Sequence, residues 1–242
     1  DGGITATTGT IVFNEASADV DFRVESNGKT HALFVDGGND RVGFITTPDL
    51  GNVHIRVADS GGSVNGNYDT LVIEESGHSG IAILSGTSST GLIGFGDSGA
   101  ALRGYFAYNH STDSIEIGTA AAERIRIDGS GLVGIGITTA SSFNAGANRM
   151  VLGTGSGNNG LTIYAQNNAS SSIHFADGSS GDASYRGYLQ YSHSSDALIL
   201  ATSATEVISF HTDGIVVNEQ SNDQNFRIES NDSTHALFVD AG

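Results

Sequence analysis

Residues 103–113 read RGYFAYNHSTD, and residues 186–196 read RGYLQYSHSSD. The near-identity at an offset of 83 shows that one structural unit is written twice. In the first copy Phe106 and Tyr108 fall on one side of an extended strand, in line with Gly104 and His110. Arg103, Tyr105, Ala107 and Asn109 fall on the other. The second copy sorts the same way, with Leu189, Tyr191 and His193 against Arg186, Tyr188, Gln190 and Ser192. Period-2 alternation predicts β-strand, and an apolar stripe ending in Tyr and His suits a seam between sheets or chains.

Working outward, the long unit covers roughly 71–137 and recurs at roughly 151–217. Gly80-Ile81-Ala82-Ile83 matches Gly160-Leu161-Thr162-Ile163 at an offset of 80, and a three-residue insertion in loop 178–182 accounts for the later 83. Strands are predicted at 81–84, 92–95, 103–109, 114–117 and 124–127. Their counterparts are 161–164, 172–175, 186–192, 197–200 and 206–210. No segment carries a convincing helical period; 120–123 is long enough for a single turn. Short strands separated by Gly, Ser, Asn and Asp define an all-β chain.

A shorter unit sits nearer the ends. DFRVESNGKTHALFVD at 21–36 recurs as NFRIESNDSTHALFVD at 225–240, differing at Asp21/Asn225, Val24/Ile228, Gly28/Asp232 and Lys29/Ser233. It reads as a hairpin: an alternating strand from Phe22, a left-handed turn at Asn27-Gly28, and a more continuously apolar return strand from His31 to Asp36. The expected division is therefore 1–50, 51–147, 148–214 and 215–242. The start at Asp1 and the stop inside a motif predict a processed or partial product that continues past Gly242.

Composition narrows the function classes. The chain has 34 glycines, one proline and no cysteine, and a net charge of −17 with Lys29 as its single lysine. Such acidity opposes phosphate backbones and anionic lipid, so neither nucleic-acid binding nor membrane insertion is expected. Aromatic residues make up 7%. At about 25 cal/mol per Å² of apolar burial, one such unit hardly offsets ordering costs of about 1–2 kcal/mol per residue. Each unit must therefore stack on neighbours or on other chains. The fold expected is an all-β, repetitive, elongated fibre assembled as an intertwined homotrimer: a β-helix, a β-prism or stacked small sandwiches.

Chemistry-bearing candidates read as structural. His31 and His235 are repeat equivalents, as are His110 and His193, and repetition along a shaft argues for packing rather than catalysis or metal binding. Glu74-Glu75 is an adjacent carboxylate pair of the kind glycosidases use. The second long unit has Gly153-Thr154 there, so a solvated strand end is expected. Asp36 to Asp40 and Asp97-Ser98-Gly99 are oxygen-rich turns without calcium-loop spacing. Residues 131–136 (GLVGIG) lack the βαβ context of a nucleotide loop. Asn109, Asn168 and Asn231 begin glycosylation sequons. No catalytic, cofactor or metal residue is assigned, and no enzyme activity is expected.

The pattern formed by Ile173 to Gly178, Tyr185 to Asp196 and Glu123 to Gly136 resembles segments of phage tail fibres and related virion proteins. Asn14 to Asp36 is similar to repeats in the same proteins. The resemblance covers most of residues 11–242. It implies a fibre shaft on a virion tail or outside the cell, partnered by copies of itself, with any glycan or receptor contact at a tip outside this chain. Such shafts lie upstream of a C-terminal intramolecular chaperone, whose autoproteolytic serine is not placed in this sequence. The G-I-G-T-T-x-P ending of that family departs here to Gly134 to Ala140, without its proline. Two other readings compete: a self-polymerising bacterial filament or adhesin with strand donation between protomers, and a polysaccharide-depolymerising tailspike.

Overall fold

The computed structural model describes Phe13, residues 18–217, 226–230 and 233–239. The chain divides into two units, Asp1–Ala122 and Glu123–Gly242. It is all-β, and helical structure among the described residues is limited to two short 3-10 turns, Ala140–Ser142 and Gly181–Tyr185.

In the first unit, β1 (Phe22–Ser26), β2 (Lys29–Asp36), β3 (Arg41–Phe44), β4 (Val53–Arg56) and β5 (Leu71–Glu74) form one sheet in chain order. Strands β1 to β3 are antiparallel, whereas β3, β4 and β5 are parallel neighbours. The unit also holds an antiparallel meander of β6 (Thr90–Asp97), β7 (Ala100–Asn109) and β8 (Ser114–Thr119). In the second unit β9 (Ala122–Ile127) pairs antiparallel with β10 (Val133–Ile135), which pairs parallel with β11 (Met150–Leu152). A five-stranded antiparallel sheet then runs in order through β12 (Ser170–Phe175), β13 (Gly187–Ser192), β14 (Ala197–Thr202), β15 (Thr205–His211) and β16 (Gly214–Val217). Finally β17 (Phe226–Ser230) pairs with β18 (Ser233–Val239).

The short repeat is reproduced in register. Phe22 faces Val35 and Val24 faces Leu33, as Phe226 faces Val239 and Ile228 faces Leu237. One expectation fails at its turn, because neither Asn27 nor Gly28 is left-handed. A bulge between Val24 and Ser26 supplies the twist that a left-handed turn otherwise provides. The turn of the second copy, Asn231-Asp232, lies outside the described residues.

Two predicted strands are not strands. Residues 81–84 and 161–164 run beside the sheets without joining a ladder. Conversely, β4, β5 and β11 were not anticipated. They are three or four residues long, too short to display a period. Their parallel entry depends on a repeated crossover. A Cβ at Gly43 would lie 2.3 Å from the Thr46 carbonyl oxygen, and one at Gly134 would lie 2.1 Å from that of Ile137. In each case the chain folds back over a bare α-carbon. It then passes a left-handed residue two positions on, Ile45 (φ 66°) or Gly136 (φ 76°). The amides of Val42 and Val133 donate to the carbonyls of Asn52 and Arg149 at 2.7 and 2.9 Å, which starts each parallel pair. The crossover therefore forms without a proline in the second copy, where residues 134–140 contain none.

Residues 120–123 make no helical turn. Ala120 and Ala121 both have positive φ, as do Ser203 and Ala204 at φ 50° and 59°. Thr202 faces Thr205, so Ser203-Ala204 is a two-residue hairpin turn of the type that favours Asn-Gly. Non-glycine residues are strained in this geometry. Replacing Ser203-Ala204 by Asn-Gly is expected to stabilise by about 1 kcal/mol and raise Tm by about 2–4 °C, read by calorimetry at fixed chain concentration.

Candidate functional site

Register converts the strands into faces, because directly opposed residues point the same way. On the β12–β16 sheet one row runs Ile173, Leu189, Leu200, Ile208, Val217. A second runs Ser171, Tyr191, Leu198, Phe210, Ile215. Nine of these ten positions carry large apolar or aromatic side chains. The β1–β5 sheet repeats the design with Phe22, Val35, Val42, Val53, Leu71 and with Val24, Leu33, Phe44, Ile55, Ile73. The β6–β8 meander supplies Ile93, Phe106, Ile117 and Gly91, Tyr108, Ile115.

None of these row positions is buried; they range from half-buried to exposed. Phe106 is 52% exposed, Leu200 39% and Ile215 65%. Burial is found on the opposite faces instead, and there it falls on small or polar side chains: Ala107, Ser114, Ala197, Ala201 and Ser209. Among the described residues, Phe34, Pro48 and Leu132 are the buried apolar side chains larger than alanine. A soluble monomer normally leaves its largest apolar patch at about 300–600 Å² and buries its large side chains first. Here the assignment is inverted.

The repeated sequence motif stitches each face at its edge. Tyr108 donates its hydroxyl to the Asp113 carboxylate, and Tyr191 donates to Asp196 at 2.6 Å. Both aspartates are left-handed turn residues, with φ 51° and 53°. The accepting carboxylate holds each phenol above its usual pKa. His110 and His193 stand edge-on to these rings, with centroids 4.9 and 5.0 Å apart. The His193 ring nitrogen Nε2 also lies 3.1 Å from Ser171 Oγ. Both histidines therefore stand just past the end of a strand, each packed edge-on against a tyrosine. Among the described residues no group of three or more His, Cys, Asp or Glu is arranged to hold a metal. Asp97 carries an Asx-type turn through the Gly99 and Ala100 amides and pairs with Arg103 at 3.1 Å. Asp36 similarly accepts from Gly38 and Asn39.

One polar cluster escaped the sequence reading. Glu74 is not a solvated strand end: it is 6% exposed. Its Oε1 accepts from the amide and hydroxyl of Ser60 at 2.7 and 2.9 Å, and its Oε2 lies 2.9 Å from Nε2 of the fully buried His54. The other ring nitrogen of His54 lies 3.1 Å from Asp49, close enough for an ion pair but poorly aligned for a hydrogen bond. Arg56 bridges back to Asp49 at 3.1 Å. The imidazole is thus held between two carboxylates with no face open to a substrate, and Ser60 donates to Glu74 rather than to the ring. The cluster clasps β4, β5 and the intervening loop. His54 faces Val72, and Arg56 faces Glu74. Only this parallel pairing brings the residues together, and nothing in their spacing announces it. Glu75, its neighbour, bonds the Ser76 amide instead.

Hydrogen bonds from Ser60, above all from its amide, hold the Glu74 carboxyl below the ordinary glutamate pKa. A lowered folded-state pKa contributes stability above the unfolded value, about 4.3, that is lost as pH falls through the folded value. Protection of the β4 amides, with the intrinsic exchange rate divided out, is expected to fall below about pH 4. The variant Glu74→Gln should exchange faster at pH 7 and show a flatter acid response.

Comparison with family models, with curated proteins and with solved structures gives no match. No helix among the described residues is long and apolar enough to cross a membrane.

Proposed function

We propose that this chain is a shaft segment of a phage-type tail fibre, assembling as a homotrimer in which the apolar rows of three copies face one another. The observation that carries this reading is the pair of apolar rows, laid across the β1–β5 sheet and again across the β12–β16 sheet, with little else in the described chain to form a core. The rows hold no charged residue. A chain of net charge −17 can therefore meet its own copies there without opposing carboxylates. Repeats, acidity and the resemblance to fibre shafts support the same conclusion. The work is mechanical: reach, stiffness and multivalent display of a tip that contacts the host surface.

Multi-angle light scattering on the full chain tests it. A particle of three times 24.8 kDa is expected. A monodisperse monomer at micromolar concentration overturns the reading. Electron microscopy separates a closed trimer from the competing head-to-tail filament, which would show helical symmetry and no fixed mass.

A further inference from the structure

The two extended segments that fail to become strands carry more information than the strands around them. Residues 80–85 (GIAILS) and 160–165 (GLTIYA) occupy equivalent places, and neither contributes a backbone group to a backbone hydrogen bond. Yet both have strand composition, and both expose it. Leu84 is 93% exposed and Tyr164 is 91% exposed. Extended apolar backbone that joins no ladder is a strand without a partner.

The inner side of each segment is seated. Ile83 occupies the space that a side chain at Gly91 would need, and the Ile163 carbonyl accepts from Ser171 Oγ at 2.8 Å. Gly91 and Ser171 are repeat equivalents, so the seating is built in twice. It places each segment across the margin of its own sheet rather than alongside the edge. Those edges stay open: β6 pairs only with β7, and β12 only with β13. Their most exposed large apolar side chains are again equivalents, Phe95 at 62% and Phe175 at 64%. Beside Ser85, whose buried hydroxyl has no partner, the chain turns back toward the edge without joining it.

We propose that residues 80–85 and 160–165 are exchanged strands, each adding to the open edge of β6 or β12 in a neighbouring copy of this chain. This rests on the self-association argued above and specifies which elements pass between copies. A second copy is the occupant because each copy carries both halves of the pairing, the two unpaired segments and the two repeat-equivalent open edges β6 and β12, so a closed ring of copies satisfies them all. Segments 80–85 and 160–165 contain no charged residue, and neither do Thr90–Gly96 or Ser170–Phe175 apart from His174. Backbone pairing supplies the affinity and alternate side chains the register, as in other strand additions.

The absence of native cysteine makes a clean test possible. Two differently tagged copies of the full chain carrying Leu84→Cys are co-expressed, labelled with a benzophenone maleimide and illuminated. Tyr164→Cys repeats the measurement at the second segment. The expected result is a species of twice the chain mass, with one tag retained when the other is captured under denaturing conditions. Peptide mapping should place the link from Leu84→Cys within 90–97 and that from Tyr164→Cys within 170–175. Amides 81–84 and 161–164 should exchange slowly in the assembled particle. Links confined to single chains, in particles that light scattering shows to be trimers, overturn strand exchange and leave the fibre reading standing. Monomers by light scattering overturn both.

Discussion

Leu200→Asp is expected to abolish the assembled particle at micromolar chain concentration, leaving monomers and soluble aggregate in light scattering. Leu200 lies in the middle strand of its sheet, flanked across the strands by Leu189 and Ile208. In a free chain it is already 39% exposed, and an aspartate there would be little more than a surface substitution. Against an apposed apolar face the same carboxylate is desolvated without a partner, at a cost of several kcal/mol per chain. Each 1.4 kcal/mol is tenfold in an equilibrium constant, so the loss at three seams takes association out of the working range. Leu200→Ala grades the effect. It should cost about 2–3 kcal/mol if the side chain is buried on assembly, and well under 1 kcal/mol if the face stays wet. Thr212→Asp, in the exposed turn between β15 and β16 and outside both the apolar rows and the open edges, is the control and should assemble normally. If Leu200→Asp assembles like the parent chain, the apolar rows are not the seam.

The same rows show how much of the molecule was legible in advance. Alternation placed Phe106, Tyr108, Leu189 and Tyr191 on shared faces, and the register agrees. Antiparallel strands of six to ten residues leave a period that can be read. Strands β4, β5, β10 and β11 leave none, and their parallel pairing follows from a glycine contact that no alternation encodes. The His54 clasp was invisible for the same reason. Its members come from two parallel strands and two loops, and in sequence Glu74 looks like one half of an ordinary acidic pair. Segments 81–84 and 161–164 were read as strands on sound propensity. In the chain's own sheets they join no ladder, and propensity alone does not supply the neighbouring strand that a ladder needs.

Gly134→Ala is expected to be among the most damaging single substitutions in the chain, with loss of the β10–β11 pair and a destabilisation of more than about 3 kcal/mol. The added methyl would stand 2.1 Å from the Ile137 carbonyl oxygen, well inside any tolerated contact, and the obstacle is backbone rather than a side chain that can swing away. Relief requires opening the crossover. The Val133 amide would then lose the Arg149 carbonyl, and Met150 and Leu152 would lose their places beside Val133 and Ile135. Gly43→Ala should act alike, at 2.3 Å from the Thr46 oxygen. Because Gly43 also lies opposite His54, it should expose the clasp as well. Two other positions separate crowding from conformation. Ile45 holds φ 66° where the second copy has Gly136, so Ile45→Gly should be neutral or stabilising by up to about 1 kcal/mol, strain relief offsetting chain entropy. Gly28 is neither crowded nor left-handed, and Gly28→Ala should gain about 0.4–1 kcal/mol by stiffening the unfolded chain. Urea unfolding of the four variants at one concentration decides the matter. If Gly134→Ala melts beside Gly28→Ala, the close approach that sends each repeat from antiparallel to parallel pairing is not what holds the crossover.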